Sequence, residues 1–364
     1  MNVRATEIDA RDLNIASKLF VSYGVGIYDK ENIIKVPGMS DIIRKTADAA
    51  AEAAKRIAGH VERTDLSRSA AYSDELAAEV FFKLENLQTT GSFKFRGATN
   101  RLMTLSDAER ANGCATASSG NHGAAVACAM QKLGTTGVIF VPEQTSDAKV
   151  NKIRSYGGDV RFFGTDGLDT EQHAREYARQ NGMLYLSPYN DDQVVAGQGT
   201  CGVEILDQLP DVDAVFVAVG GGGLIAGVGS VLKARNPNIK IFGCQPEASA
   251  VMAQSVAAGE ILDLPSDPTL SDGTAGGIEA ESITFPLNQA AVDEFVIVSE
   301  QQIADAMRSY MTIEGQTIEG AAGVAIAGLV ASKDKVSGQK IVVVICGSNI
   351  ADDVLATVMS DVNS

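Results

Sequence analysis

Histidine is scarce in this 364-residue chain: His60, His122 and His173 are the only three, and no two stand at metal-ligand spacing. A metal centre built on histidine is therefore not expected. The five cysteines (Cys114, Cys128, Cys201, Cys244 and Cys346) are odd in number and contain no Cys-x-x-Cys pair. Neither a zinc ribbon nor a disulfide scaffold is supported, and reduced thiols in a cytoplasmic enzyme are the expectation. Positive charge is also short, with 30 Lys and Arg against 46 Asp and Glu, a net charge of −16. Such a chain has no electrostatic footprint for nucleic acid or for an anionic membrane surface. Any phosphate it binds must be held by local backbone dipoles. The opening stretch MNVRATEIDARDLN carries acids and no apolar core, so it is not a secretory signal. The longest uncharged run, 214–232, is broken by four consecutive glycines. It reads as strand, loop and helix, not as a membrane span.

What is present is ordinary globular composition, 45% hydrophobic and 21% charged. The length allows one large domain or two medium ones with a sizeable core. Residues 1–40 have weak periodicity and read as an N-terminal extension. From Asp41 an alanine-rich helical pattern runs to about Gly59, followed by a short strand EVFFKLE over 79–85 and a helix over 95–105. Strands and helices then alternate. Strands are expected over 114–117, 136–141, 159–163, 183–186, 214–219, 240–244 and 340–345. Helices are expected over 121–133, 147–156, 169–181, 194–208, 224–234, 300–312 and 320–332. This rhythm implies βαβ units and parallel sheets. The predicted fold is α/β, with two open, mostly parallel twisted sheets flanked by helices. The expected division is a small domain over 116–191, set within a large domain of 41–115 and 192–364. Ligands in such sheets bind beyond the carboxyl ends of strands.

Four motifs fall at such ends. Thr90-Gly91-Ser92-Phe93-Lys94-Phe95-Arg96-Gly97-Ala98 places a lysine at a helix start. The positive end of the helix dipole disfavours an ammonium ion there, and a lysine made neutral can act as nucleophile or base. From the local sequence alone, a solvated surface lysine beside a cap is the simpler reading. Ser118-Ser119-Gly120-Asn121-His122-Gly123 leaves backbone N–H groups free at a helix start: an anion nest, or only a cap and turn. Gly220-Gly221-Gly222-Gly223-Leu224 follows an apolar strand and lets the backbone wrap a phosphate. Gly221-x-Gly223-x-x-Ala226 also fits a dinucleotide fingerprint, with Glu247 near the place of its ribose acid. Cys346-Gly347-Ser348-Asn349 ends an interior strand with a thiol that is either a weak donor or a buried structural group.

Together the four motifs resemble those of the fold-type II pyridoxal-phosphate enzymes, in the serine/threonine dehydratase and serine racemase group. The likeness runs from about Asp41 to Met359. QPEASAVM and TLSDGTAGGIEAESITF (269–285) look most like the branch of specialised hydroxy-amino-acid dehydratases, including phenylserine and hydroxyectoine-utilisation dehydratases. The resemblance implies pyridoxal 5'-phosphate in Schiff-base linkage to Lys94, which later acts as base. It implies Phe93 against the pyridine ring, Asn121 at the phenolic oxygen, and Cys346 facing the ring nitrogen. Ser118, Asn121 and His122 would hold the substrate carboxylate, and Gly220, Gly221, Gly222, Gly223 and Leu224 the phosphate. The implied reaction is loss of water from a β-hydroxy-α-amino acid (serine, threonine or a 3-substituted serine) to give a 2-oxo acid and ammonia. Amino-acid racemisation is the alternative, with Ser119 as opposite-face acid and base; a nicotinamide oxidoreductase is a more distant one. The implied partners are a small amino-acid substrate and a second copy of the chain in a homodimer. In relatives a divalent metal is held by a Glu and an Asp where this chain has Gln245 and Val251. No divalent site is therefore expected, although a monovalent ion on backbone oxygens is compatible. The loop 272–277 is a candidate lining for the substrate side-chain pocket. The chain ends about 15 residues past Asn349, so no regulatory domain with isoleucine feedback is expected.

Overall fold

The computed structural model describes residues 27–29 and 39–360. Its strands are β1 (Ile27–Asp29), β2 (Leu66–Arg68), β3 (Glu79–Lys83), β4 (Cys114–Ala117), β5 (Gly137–Val141), β6 (Asp159–Phe162), β7 (Leu184–Tyr185), β8 (Ala214–Ala218), β9 (Lys240–Pro246), β10 (Glu294–Val298) and β11 (Lys340–Val344). Seven form one sheet in the order β1-β10-β9-β8-β11-β3-β2, and four form a second in the order β6-β5-β4-β7. Only the edge strands β1 and β2 run antiparallel to their neighbours. All other pairings are parallel. The expected architecture of two mostly parallel sheets is what the chain adopts.

The residues explain the strands. Every side chain of β8 (AVFVA) is buried, as are the last four of β11 (KIVVV). β-branched residues suit the pleat, and helices on both faces remove the need for alternation. Helix Gly320–Ala331, an uninterrupted run of small and aliphatic residues, lies against β8, β9 and β10. Helices Asp192–Gln208 and Gly223–Arg235 cross backbone to backbone: a Cβ on Gly227 would stand 2.5 Å from the Val195 carbonyl oxygen.

The elements foreseen from the sequence are present, with ends shifted by a few residues at most. Several others went unassigned. β10 (EFVIV) is the most central of these, and its flanking acids disguise it as a turn. Asp293 and Glu294 are in fact buried and paired: Asp293 accepts from the Ile241 N–H at 2.8 Å and from Lys233 at 2.5 Å, and Glu294 accepts from Lys335 at 2.6 Å. The short helices Ala70–Leu76, Asp107–Asn112, Val251–Ala258, Thr284–Ala291 and Asp352–Ser360 also lie outside the expected elements. Most of the extension expected over 1–40 lies outside the described residues. Among the described residues, no helix is long and apolar enough to cross a membrane.

Candidate active site

The segments that follow β4, β8 and β11 meet in a crevice between the two sheets, around a cavity of about 610 Å³. Phe93 and Lys94 line it, as do Ser118, Ser119, Asn121 and His122 from the second motif, Gly220 to Leu224 from the third, and Cys346 from the fourth. Main-chain bonds zip the first and fourth motifs together. The Phe93 N–H donates to the Cys346 carbonyl at 3.1 Å, and the Ser348 N–H donates to the Gly91 carbonyl at 2.9 Å. The Asn349 amide donates to the Thr90 carbonyl at 3.0 Å. Gly91 sits at φ +76°, and a Cβ there would come within 2.7 Å of Asn349 Oδ1. Of the loop 272–277, Asp272, Gly273, Thr274 and Ala275 reach the cavity.

Lys94 opens helix Lys94–Met103. Its Nζ lies 5.1 Å from the Phe93 ring centroid and donates to the Pro188 carbonyl at 2.9 Å. Among the described residues, no carboxylate touches it. Burial lowers its pKa to about 8, with the nearby Cys346 and Glu319 opposing. A substantial fraction is therefore the neutral amine near pH 8, which a solvated surface lysine is not. His122 is buried, and its Nε2 bonds the Leu186 carbonyl at 3.0 Å. Burial, with the charge of Lys94, pushes its pKa down to about 3, so the ring is neutral and turned away from acid–base work. What His122 offers to a carboxylate is its backbone N–H, in the first turn of helix Asn121–Leu133. Burial raises the Cys346 thiol well above its ordinary range, so it is a neutral S–H.

The glycine loop is held from behind. The Gly221 carbonyl accepts from Thr284 Oγ1 at 2.6 Å, and the Gly222 carbonyl from Asn288 Nδ2 at 3.2 Å. A trans peptide points its N–H opposite its C=O, so the N–H groups of Gly222 and Gly223 face away from those anchors. Side chains are excluded: a Cβ on Gly221 would lie 2.4 Å from the Tyr189 ring, and one on Gly222 2.4 Å from Asn288 Nδ2. Gly222 also has φ +78°.

Tyr189 and Glu319 also stand in the cavity wall, outside the four motifs. Tyr189 stands in the irregular stretch SPYN, which gives no periodic signal, and packs on the glycine loop. Glu319 is a lone acid at the start of an otherwise apolar helix, and that contrast was the available clue. Asn121 Nδ2 donates to both Glu319 oxygens, at 2.9 and 3.0 Å, while Asn121 Oδ1 accepts from Asn349.

With that geometry in place, the likenesses to known proteins are informative. The family described as pyridoxal-phosphate dependent enzyme matches residues 57–347. The chain belongs to this family. The L-threonine ammonia-lyase of Thermotoga maritima is 40% identical over 299 residues, which cover 82% of this chain and 74% of the relative. The processed form of threonine deaminase isoform 2 from Solanum lycopersicum superposes with a TM-score of 0.86 at 33% identity, covering 93% of this chain and 97% of that one. Maize serine racemase superposes with a TM-score of 0.80 at 32% identity, covering 86% and 96%. The dinucleotide reading of Gly221-x-Gly223-x-x-Ala226 is thereby set aside.

The residues present fit pyridoxal phosphate. A buried amine with a depressed pKa can take its aldehyde, and a glycine wall closed to any Cβ can take its phosphate. Phe93 and the neutral Cys346 would flank the ring. They do not fit a divalent cation at Gln245. That amide is 1% exposed and fully engaged: it donates to the Val219 and Ser249 carbonyls at 3.0 and 3.4 Å and accepts from the Ala253 N–H at 2.7 Å. Val251 is buried and has no donor atom.

Proposed function

We propose that this chain is an ammonia-lyase that removes water from a β-hydroxy-α-amino acid and releases a 2-oxo acid and ammonia. The observation that carries the reading is the buried Lys94 amine, bonded to a carbonyl and, among the described residues, to no carboxylate, in one cavity with two anion nests, one at Ser118–His122 and one at Gly220–Gly223. Both nests are helix starts, and they satisfy the need for backbone-held anions that the net charge of −16 imposes. The relatives named as threonine ammonia-lyase and threonine deaminase act within this reaction class.

Pyridoxal phosphate, when bound, supplies an aldehyde for the substrate amine and a ring that takes up the electron pair left at the α carbon. The chain does the rest. Ser118, Asn121 and the His122 N–H hold the carboxylate and so fix which α bond faces Lys94. The Lys94 amine takes the α proton, for which its lowered pKa keeps it competent near neutral pH. Cys346 would offer a neutral S–H to the ring nitrogen. The same reading includes a homodimer and a monovalent cation on backbone oxygens, both supported by the family resemblance. It also includes residence in the cytoplasm, supported by five buried cysteines without a disulfide.

Racemisation is the second reading, favoured by the Ser119 hydroxyl in the cavity wall; chiral analysis of recovered substrate separates the two. The primary test is a panel of serine, threonine, 3-hydroxyaspartate and 3-arylserines assayed for 2-oxo acid. Release from at least one is expected, lowered by more than about 10²–10⁴-fold in Lys94→Ala, since that is the share of a general base alone. Release from none contradicts the reading.

A further inference from the structure

The Lys94 cavity holds positive charge that the chemistry described so far does not use. Lys149 and Lys152 lie on one face of helix Asp147–Ser155, and both line the cavity. Their contacts fix where they stand. The Lys152 ammonium donates to Asn349 Oδ1, and the Asn349 amide donates in turn to Asn121 Oδ1. Lys152 is thus one side chain away from the Ser118–His122 nest. The Lys149 ammonium lies 3.4 Å from Asp272 Oδ2. That contact brings the helix against the loop whose residues 272–275 reach the cavity. The helix therefore bridges the carboxylate nest and the loop expected to line the side-chain pocket. Ser146 and Ala148, at the start of the same helix, line the cavity too, so the positive end of the helix adds to the two lysines.

The two lysines are not equally satisfied. Lys149 meets Asp272 at an exposed rim, where the two side chains are 47% and 72% exposed. Lys152 is half-buried, and among the described residues its ammonium bonds a neutral amide oxygen and touches no carboxylate. Burial works against its charge, with the more distant Glu319 opposing. A partly buried cation held in this way is stabilised by an anion brought to it. The α-carboxylate of the substrate already has the Ser118–His122 nest, and the cofactor phosphate has the glycine loop. The part of the substrate still without a partner is its side chain. We propose that Lys152 recognises an acidic group on that side chain, so that the preferred substrate is a β-hydroxy-α-amino dicarboxylic acid, of which 3-hydroxyaspartate is the shortest. Lys152 is then a specificity-determining residue, Lys149 adds its charge from the rim, and the product is a 2-oxo dicarboxylic acid. An uncharged side chain, such as that of threonine, leaves Lys152 without its anion and gains nothing from it.

Recognition of this kind rests on the elimination reading, and the test reads binding as well as turnover. The full chain, loaded with pyridoxal phosphate, is assayed on the panel of hydroxy amino acids. 3-Hydroxyaspartate is expected to have the highest kcat/KM. Lys152→Gln keeps a polar group on the same helix face and removes the charge. In that variant, kcat/KM for 3-hydroxyaspartate relative to the best uncharged panel substrate falls by about 10–10²-fold, the range for a hydrogen bond to a charged group, and the fall lies mainly in KM. Lys152→Arg keeps the charge and most of the preference, which separates recognition from damage to the fold. Calorimetry on the loaded wild-type chain reads the site without turnover. Succinate, with two carboxylates and no amine, binds more tightly than butyrate, which has one, and Lys152→Gln narrows that difference by a similar factor. A higher kcat/KM on serine, threonine or a 3-arylserine, an equal loss on charged and uncharged substrates, or equal binding of succinate and butyrate overturns the role of Lys152 alone. Release of 2-oxo acid from no panel member overturns the elimination reading, and the succinate comparison then still decides whether Lys152 receives a second carboxylate.

Discussion

Lys94 and Arg96 stand two residues apart on one helix and meet opposite electrostatic surroundings. Arg96 is fully buried and fully paired. Its guanidinium bonds Glu85 at 2.7 and 2.8 Å and Glu204 at 2.7 and 2.9 Å. Lys83 joins the cluster through Glu204 at 2.6 Å, and Thr64 donates to Glu85 at 2.6 Å. Two cations and two carboxylates close on one another. Burial alone would raise the Glu85 pKa, but the charge and hydrogen bonds of Arg96 overcome it and hold the carboxyl below its usual range. On the cavity side the buried groups lack such partners, and each moves towards neutrality: Lys94 down, Glu319 up, His122 down, Cys346 up. The paired cluster anchors the helix, whereas the cavity groups are bonded to neutral partners and hold shifted pKa values. The difference lies in the partners supplied, since burial is nearly the same.

That contrast can be broken most forcefully at Arg96. Arg96→Ala strands Glu85 as a buried charge and should lower unfolding stability by about 3–5 kcal/mol, measured by denaturant titration. A loss comparable to that of an exposed ion pair, under about 1 kcal/mol, would mean that the cluster is not the anchor. A smaller effect sharpens the comparison through pH. Glu319 has its pKa raised by folding, so its neutral form is stable in the fold at low pH and its ionisation weakens the fold as pH rises through about 7. Glu85 has the opposite sign: its contribution is present above the unfolded carboxylate range and is lost as pH falls. The stability of Glu319→Gln relative to wild type should therefore improve between pH 5 and pH 8, as read by paired melting curves. A flat difference contradicts the raised carboxyl.

Much of this was legible in the sequence, for physical reasons that differ by region. β8 and β11 announce themselves as apolar, valine-rich runs between helical patterns, so the parallel sheets followed. The four motifs were visible because glycine and serine at strand ends have few other uses. β10 was hidden because Asp293 and Glu294 read as turn residues until Lys233, Lys335 and the Ile241 N–H are brought to them. Glu319 was hidden for a related reason. Its meaning depends on Asn121, 198 positions away, and on what it lacks, a cation in contact. Arg96 was legible as part of a motif, but not as the centre of a buried charge cluster, because Glu85 and Glu204 carry no local pattern.

The central claim is that Lys94 carries the cofactor. Borohydride reduction of the loaded chain, followed by peptide mass mapping, tests it directly. The account predicts one pyridoxyl-phosphate adduct per chain, on Lys94. An unmodified Lys94 peptide, or an adduct on another lysine such as Lys149 or Lys152 at the cavity wall, would contradict it.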